Sequence, residues 1–250
     1  MLSPTDFLAH LDADSHLLAA AAARGLAADV PGCPGWSVCD LLMHITRVHT
    51  EKADIVEGGH VNSWPPRPEP PQDVDPLDWY RSRADRLFRV LSAADPAAPA
   101  KTWADEQTVG FWIRRMAHET LVHRVDAEQA HGYESSVDPE LAVDGVAELF
   151  DVFLTGYPEW GEYSPDAAVV RVATGDRSWT GRFGRFVGTK GGRDYDVPTL
   201  SLVEGSEPGA VVSGEPDRVL LWMWGRAPLS DVTVSGEPAL AHRLREVCSI

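Results

Sequence analysis

The sequence predicts an α+β protein of two domains, a four-helix bundle over residues 1–157 and a small α+β domain over residues 158–250. Apolar residues recur at helical spacing through the first 150 residues, whereas short apolar runs with turn residues between them follow a break at 156–166. The two parts also differ in charge, since residues 1–150 carry 12 basic and 24 acidic side chains and residues 151–250 carry 10 and 14. A chain of 250 residues has room for two such domains.

Local signals place the helices of the first part. Ser37 is a typical N-cap, Asp40 complements the dipole in the turn that follows, and Gly58-Gly59 is a good stop for that helix. Six prolines within residues 60–78 exclude a helix or a central strand and predict an extended loop. The predicted helices cover about Thr5–Arg24, Val38–Glu57, Leu77–Ala93, Phe111–Ala130 and Pro139–Leu154.

The second part alternates strand-like and helical stretches. The segment VGTKGGRD (187–194) predicts a hairpin turn rather than a phosphate-binding loop, because no P-loop or glycine-rich dinucleotide motif is present. Strands are predicted at 168–174, 178–188, 198–204, 209–214 and 232–236, and helical stretches at 215–226 and 238–247.

The formal charge of −16 excludes several classes of partner. A chain this acidic repels nucleic-acid phosphates and anionic lipid surfaces, so we expect neither partner. No run of about 18 apolar residues and no secretory leader is found, and a cytoplasmic location is expected. The three cysteines (Cys33, Cys39 and Cys248) form no C-x-x-C pair, which argues against disulfides and an all-thiolate zinc site.

The fourth predicted helix carries a pair of candidate metal ligands. Glu119 and His123 are four residues apart, so both side chains project from one side of the helix. A carboxylate and an imidazole at this spacing can supply two ligands to a divalent ion such as zinc. The alternative is a surface Glu–His pair that stabilises the helix by a few tenths of a kcal/mol.

His44 is the candidate third ligand, from the second helix. It lies near the edge of an apolar stripe, where a histidine needs a polar partner; a core histidine bonded to a carbonyl is the alternative. His49 falls on a different side of the helix and is predicted to be exposed to solvent. Asp126, three residues after His123, is interpreted as a solvated charge, with a hydrogen-bond acceptor for a ligand as the alternative.

Three stretches together carry a resemblance to a known family. CPGWSVCDLLMH, RRMAHETLVHRVDAE and LLWMWGR resemble the mycothiol-dependent maleylpyruvate isomerase family, within the wider group of DinB-like metal-binding bundles. The resemblance covers nearly the whole chain, and the proline-rich middle matches least. It implies a DinB-like bundle joined to a domain similar to sterol carrier protein 2.

The resemblance also implies site residues and cofactors. The metal ligands of the family fall on His44, Glu119 and His123, with zinc as the expected metal and mycothiol as the co-substrate. Arg226 matches an arginine that serves the active site, and with Trp224 it is expected to bind substrate between the domains. From position alone, Arg226 would be a helix-end charge. Mycothiol is a thiol of actinobacteria, and 19 arginines among 22 basic residues agree with such a source.

The implied chemistry uses an imported nucleophile. A metal deprotonates an incoming thiol, and the thiolate adds to an activated double bond; rotation and elimination then give cis–trans isomerisation. An S-transferase that attacks an electrophile or biosynthetic intermediate is the alternative within this chemistry. A protein that only binds a small ligand in its C-terminal domain is the alternative of another class, and three retained metal ligands argue against it.

Overall fold

A computed structural model describes residues 2–66, 68–69, 73–155 and 159–249. The chain separates into two units, residues 1–136 and residues 137–250. The helix predicted over Pro139–Leu154 is therefore grouped with the second unit rather than with the bundle. The domain boundary predicted between residues 157 and 158 falls outside the described residues.

The described part of the first unit contains four helices, and each follows a residue that caps it. Ser3 and Ser37 both make capping boxes. In each, the serine hydroxyl accepts a hydrogen bond from the backbone N–H of an aspartate three residues later, and the carboxylate of that aspartate accepts from the backbone N–H of the serine. Asp75 and Thr108 cap the other two helices through their side-chain oxygens. The four helices are α1 (Pro4–Ala22), α2 (Val38–Glu57), α3 (Pro76–Ala93) and α4 (Val109–Ala130).

One apolar core joins these helices. Leu41, Leu42 and Ile45 of α2 are fully buried, and each contributes about 1.5–3 kcal/mol through removal of apolar surface from water. They pack in the same core as buried residues of the other three helices, among them Leu18, Ala22, Tyr80, Ala84 and Ala127. The shared core therefore fixes the position of α2 along α4. This position decides which polar side chains of the two helices meet.

The second unit begins with helix α5 (Pro139–Glu148), which continues into a turn of π-helix at Leu149–Leu154. A five-stranded sheet follows, with strand order β3-β2-β1-β4-β5. All neighbouring strands are antiparallel except β1 and β4, which are parallel. The strands are β1 (Gly161–Thr174), β2 (Arg177–Lys190), β3 (Arg193–Leu202), β4 (Ala210–Gly214) and β5 (Thr233–Gly236).

Among the described residues, this unit also contains the helices α6 (Pro216–Met223) and α7 (Pro238–Val247) and a short 3-10 helix at Leu229–Asp231. The predicted hairpin turn is found between β2 and β3, where Gly191 and Gly192 have φ values of 60° and 78°. Residues that carry a side chain rarely adopt such φ values, so the two glycines allow the tight turn. The predicted α+β class is confirmed, with a helical region followed by a mixed sheet. None of the helices in the described ranges combines the length and apolar character of a membrane crossing.

Candidate metal centre

The three predicted metal ligands meet between α2 and α4. One donor atom from each of His44, Glu119 and His123 lies within 4.8 Å of the others. Glu119 Oε1 is 3.4 Å from the Nε2 atom of each histidine, so one carboxylate oxygen stands between two imidazoles. The spacing of Glu119 and His123 on α4 and the position of His44 on α2 therefore bring the residues together as predicted.

Arg115 fixes the other oxygen of the Glu119 carboxylate. Its Nη2 atom donates to Glu119 Oε2 at 2.8 Å, from one helical turn earlier on α4, and the arginine is 1% exposed. Burial would raise the pKa of the Glu119 carboxyl, but hydrogen bonds from His123 and His44 and the Arg115 charge lower it well below its usual value. Glu119 is therefore an anion with one oxygen committed to Arg115.

Asp126 orients His123, and its predicted role as a solvated charge is wrong. Asp126 is 0% exposed, and its Oδ2 atom lies 3.0 Å from His123 Nδ1. Burial lowers the pKa of the His123 imidazole, yet hydrogen bonds to Asp126 and Glu119 raise it to about 9. Because Nδ1 is held by Asp126, Nε2 of His123 is directed to Glu119, in the arrangement that carboxylate–histidine–metal sites use.

A second group of donors shares His123. Cys33, His123 and Asp126 also offer atoms within 4.8 Å of one another, and Cys33 Sγ lies 3.6 Å from Asp126 Oδ2. This group uses the Nδ1 side of His123, whereas the His44 group uses Nε2. The Cys33 thiol donates to a carboxylate that already holds His123.

His49 is buried, so the prediction that it is exposed is wrong. The imidazole is 0% exposed, and its Nε2 atom lies 2.9 Å from Thr120 Oγ1 on α4. Burial lowers the pKa of His49 to about 3, so the ring is neutral at ordinary pH. His49 lies on the part of α2 that packs against α4, and its partner Thr120 is next to Glu119 in the sequence.

A cavity of about 710 Å³ adjoins His44. The Trp36 ring packs beside the His44 ring at a centroid distance of 5.1 Å, and Met43, Val48 and Pro65 add apolar wall. The polar lining consists of Asp40, Arg47 and Glu51, in addition to His44 itself. The cavity therefore gives a small molecule access to one candidate ligand.

Three tryptophan rings form a cage around Lys52 on α2, the helix that also carries His44. The Nζ atom lies 4.7, 5.4 and 5.9 Å from the ring centroids of Trp112, Trp64 and Trp103, and it donates to Glu51 Oε2 at 2.8 Å. Trp64 directly precedes Pro65 of the cavity wall. The cage thus attaches the proline-rich segment to α2 and α4.

Arg226 and Trp224 belong to the second unit, directly after α6. Arg226 Nη1 donates to the Trp224 carbonyl oxygen at 2.6 Å, so part of the guanidinium satisfies the helix end. Two arginines of strand β2 in the same unit are also engaged, since Arg182 contacts Ser206 and Arg185 contacts Asp196. Sequence reasoning missed Arg115 altogether, although its position one turn before Glu119 could have indicated the ion pair.

The donor set fits a divalent metal. Two imidazole nitrogens and one carboxylate are the ligands that zinc takes in catalytic sites, with a further position left for water or substrate. Asp126 supplies the outer carboxylate that such a histidine ligand needs, and Arg115 restrains the carboxylate ligand. The arrangement can therefore hold a metal next to a cavity that admits a small molecule.

Comparisons with known proteins find similarity to one family along nearly the whole chain. Residues 8–128 match the family model of the mycothiol maleylpyruvate isomerase N-terminal domain, and residues 140–243 match the model of the C-terminal domain of that isomerase. The chain is also similar to crystal structures of the mycothiol-dependent maleylpyruvate isomerase and of a histidine-to-alanine mutant of it. Each has a TM-score of 0.60 and 12% identity, with 94% of this chain and 95% of the other covered. A search among curated proteins finds no match.

Proposed function

The chain belongs to the mycothiol-dependent maleylpyruvate isomerase family, and we propose that it uses mycothiol and a divalent metal to isomerise a small electrophile. The observation that supports this most is the convergence of His44, Glu119 and His123 beside the cavity. These three residues would hold the metal, with zinc the best match to two imidazoles and a carboxylate. A metal there would supply positive charge that lowers the pKa of an incoming thiol.

The residues around the ligands prepare the site for that thiol. Asp126 holds Nδ1 of His123 and directs Nε2 towards Glu119, where a bound metal would take the place of the Nε2 proton, and Arg115 keeps Glu119 ionised and in one orientation. Trp36 packs beside the His44 ring, and Met43, Val48 and Pro65 make the adjoining cavity wall apolar. A thiolate bound there would add to one carbon of the activated double bond; rotation about the resulting C–C single bond and elimination of the thiolate would restore the double bond in the trans form and return the thiol.

The nucleophile comes from outside the chain in this proposal. Burial raises the pKa of the Cys248 thiol to about 12, so that residue does not supply a thiolate near neutral pH. Cys33 donates to Asp126, a buried carboxylate that supports a proposed ligand. Arg226, next to Trp224, is proposed to hold an anionic group of the thiol or of the electrophile through parallel hydrogen bonds.

The test combines metal analysis with a turnover assay. Purified protein should contain about one divalent metal per chain. His44→Ala and His123→Ala should remove most of the metal, while His16→Ala, a change at a 73% exposed side chain, should retain it. The parent protein should convert maleylpyruvate only when mycothiol is added. Unchanged metal content in both ligand variants would contradict the proposed site, and accumulation of a thiol conjugate would indicate an S-transferase instead.

A further inference from the structure

Arg47 lies one turn beyond His44 on α2. The two residues are three positions apart, so their side chains leave the same side of the helix, and both line the cavity of about 710 Å³. The cavity therefore contains a guanidinium close to the residue proposed to bind metal. The sequence motifs leave this arginine unassigned.

Arg47 has no protein partner among the residues that the structure describes. Its Nε atom is buried without a hydrogen bond, which is costly for a charged donor. Each of the two carboxylates that line the same cavity has one oxygen engaged elsewhere. Asp40 accepts from the backbone and hydroxyl of Ser37, and Glu51 accepts from Lys52. Arg47 thus presents unused donors beside the cavity.

The part of the chain around Arg47 is acidic. Residues 1–150 contain 24 acidic side chains against 12 basic ones, so carboxylate partners are plentiful in this part of the chain. Arg86 and Arg124 of the bundle have such partners, Asp54 and Asp14 respectively, whereas Arg83 donates to Ser82 and Arg24 to Tyr133. An arginine that lines a cavity and pairs with none of them is suited to a carboxylate that arrives with a ligand.

We propose that Arg47 binds a carboxylate of the electrophilic substrate, a small organic acid, in the cavity beside His44. The choice of the electrophile as ligand rests on the proposed function, since maleylpyruvate is itself an acid. The fork of guanidinium donors matches the two oxygens of a carboxylate, and the apolar wall of Trp36, Met43 and Val48 suits the carbon chain. Arg47 would in this way set both the substrate class and its orientation towards His44.

Calorimetric binding of succinate, an unreactive dicarboxylate, tests the anion site without turnover. Arg47→Gln should raise the dissociation constant by about tenfold or more, because hydrogen bonds between charged partners are lost. Arg47→Lys should recover part of the affinity, since it keeps the charge but not the fork. The matched control is Arg81→Gln, an exposed arginine on α3, which should bind succinate as the parent does. Dimethyl succinate, which has no charge, should distinguish none of these proteins.

The same titrations on chelator-treated protein separate Arg47 from a bound metal. Succinate binding that disappears with the metal and is unchanged in Arg47→Gln would overturn the proposal, as would the absence of saturable binding to the parent protein. In turnover assays, Arg47→Gln should raise KM for the electrophile and leave KM for the thiol unchanged; the reverse result would also overturn it. Succinate binding that depends on Arg47 in a protein without isomerase activity would contradict only the proposed function.

Discussion

His123 Nδ1 lies 3.0 Å from Asp126 Oδ2, and the other nitrogen of the same ring, Nε2, lies 3.4 Å from Glu119 Oε1. One imidazole therefore connects a fully buried carboxylate to the candidate metal centre. The two nitrogens have different roles. The contact of Nδ1 with Asp126 fixes the orientation of the ring, and Nε2 faces Glu119, where it can act as a metal ligand.

Replacement of Asp126 by asparagine should weaken metal binding. The asparagine amide lacks the negative charge that makes the His123 ring a stronger electron-pair donor to a metal. Loss of such an outer carboxylate costs about 10–100-fold in metal affinity. Competition with a chromophoric chelator would measure the change. Asp78→Asn, at a carboxylate that is 72% exposed on α3, should retain the parent affinity. Equal affinities in both variants would remove Asp126 from the metal site.

A cysteine-free protein should stay active when mycothiol is supplied. Cys33→Ser keeps a donor towards Asp126, and alanine can replace Cys39 and the buried Cys248. If the thiol is imported, turnover of this triple variant should remain within a few-fold of the parent at equal metal content. A folded, metal-loaded variant without activity would mean that the nucleophile belongs to the chain.

His49 should make the bundle sensitive to acid. Burial lowers its pKa from 6.5 to about 3, so between these values the unfolded chain holds one proton more than the folded chain. The free energy of unfolding must then rise with pH, by about 1.4 kcal/mol per pH unit from this group in that window. Urea unfolding of His49→Gln from pH 6 to pH 4 should show a slope smaller by that amount. His16→Gln, at an exposed position of α1, should keep the parent slope, and an unchanged slope in His49→Gln would contradict the burial.

Arg226→Lys should lower kcat/KM by about tenfold or more at unchanged metal content, which corresponds to at least about 1.4 kcal/mol. Lysine keeps the charge but cannot reproduce two parallel hydrogen bonds to a carboxylate. If Arg226 only satisfies the end of α6 through the Trp224 carbonyl, the change would cost a few tenths of a kcal/mol of stability and nothing in catalysis. Arg218→Lys on the same helix is the matched control. Parent-like kinetics in both variants would leave anion binding to other arginines.

The local parts of this architecture could be predicted from the sequence. Serine caps, proline at helix starts and terminal glycines act within a few residues, so the bounds of α2 and the hairpin at Gly191-Gly192 follow from short windows. The candidate ligands His44, Glu119 and His123 could also be chosen, because helical spacing decides which side chains share one side of a helix.

The burial of polar residues could not be predicted in this way. Asp126 and His49 are both 0% exposed because α2, α4 and the loop with Cys33 pack over them, and no short window contains that packing. Arg47 gave no signal either, since an unpaired arginine is recognised only when the partners of Asp40 and Glu51 are known.

The tryptophan cage around Lys52 gives the protein an intrinsic optical reporter. Indole emission responds to a nearby charge, and three indoles share the ammonium of this one lysine. Trp64 is bonded directly to Pro65, so a molecule that moves this wall of the cavity also moves one indole relative to the charge. A ligand that displaces this wall would therefore change the emission of Trp64, one of nine tryptophans in the chain, without a dye and without a change to His44.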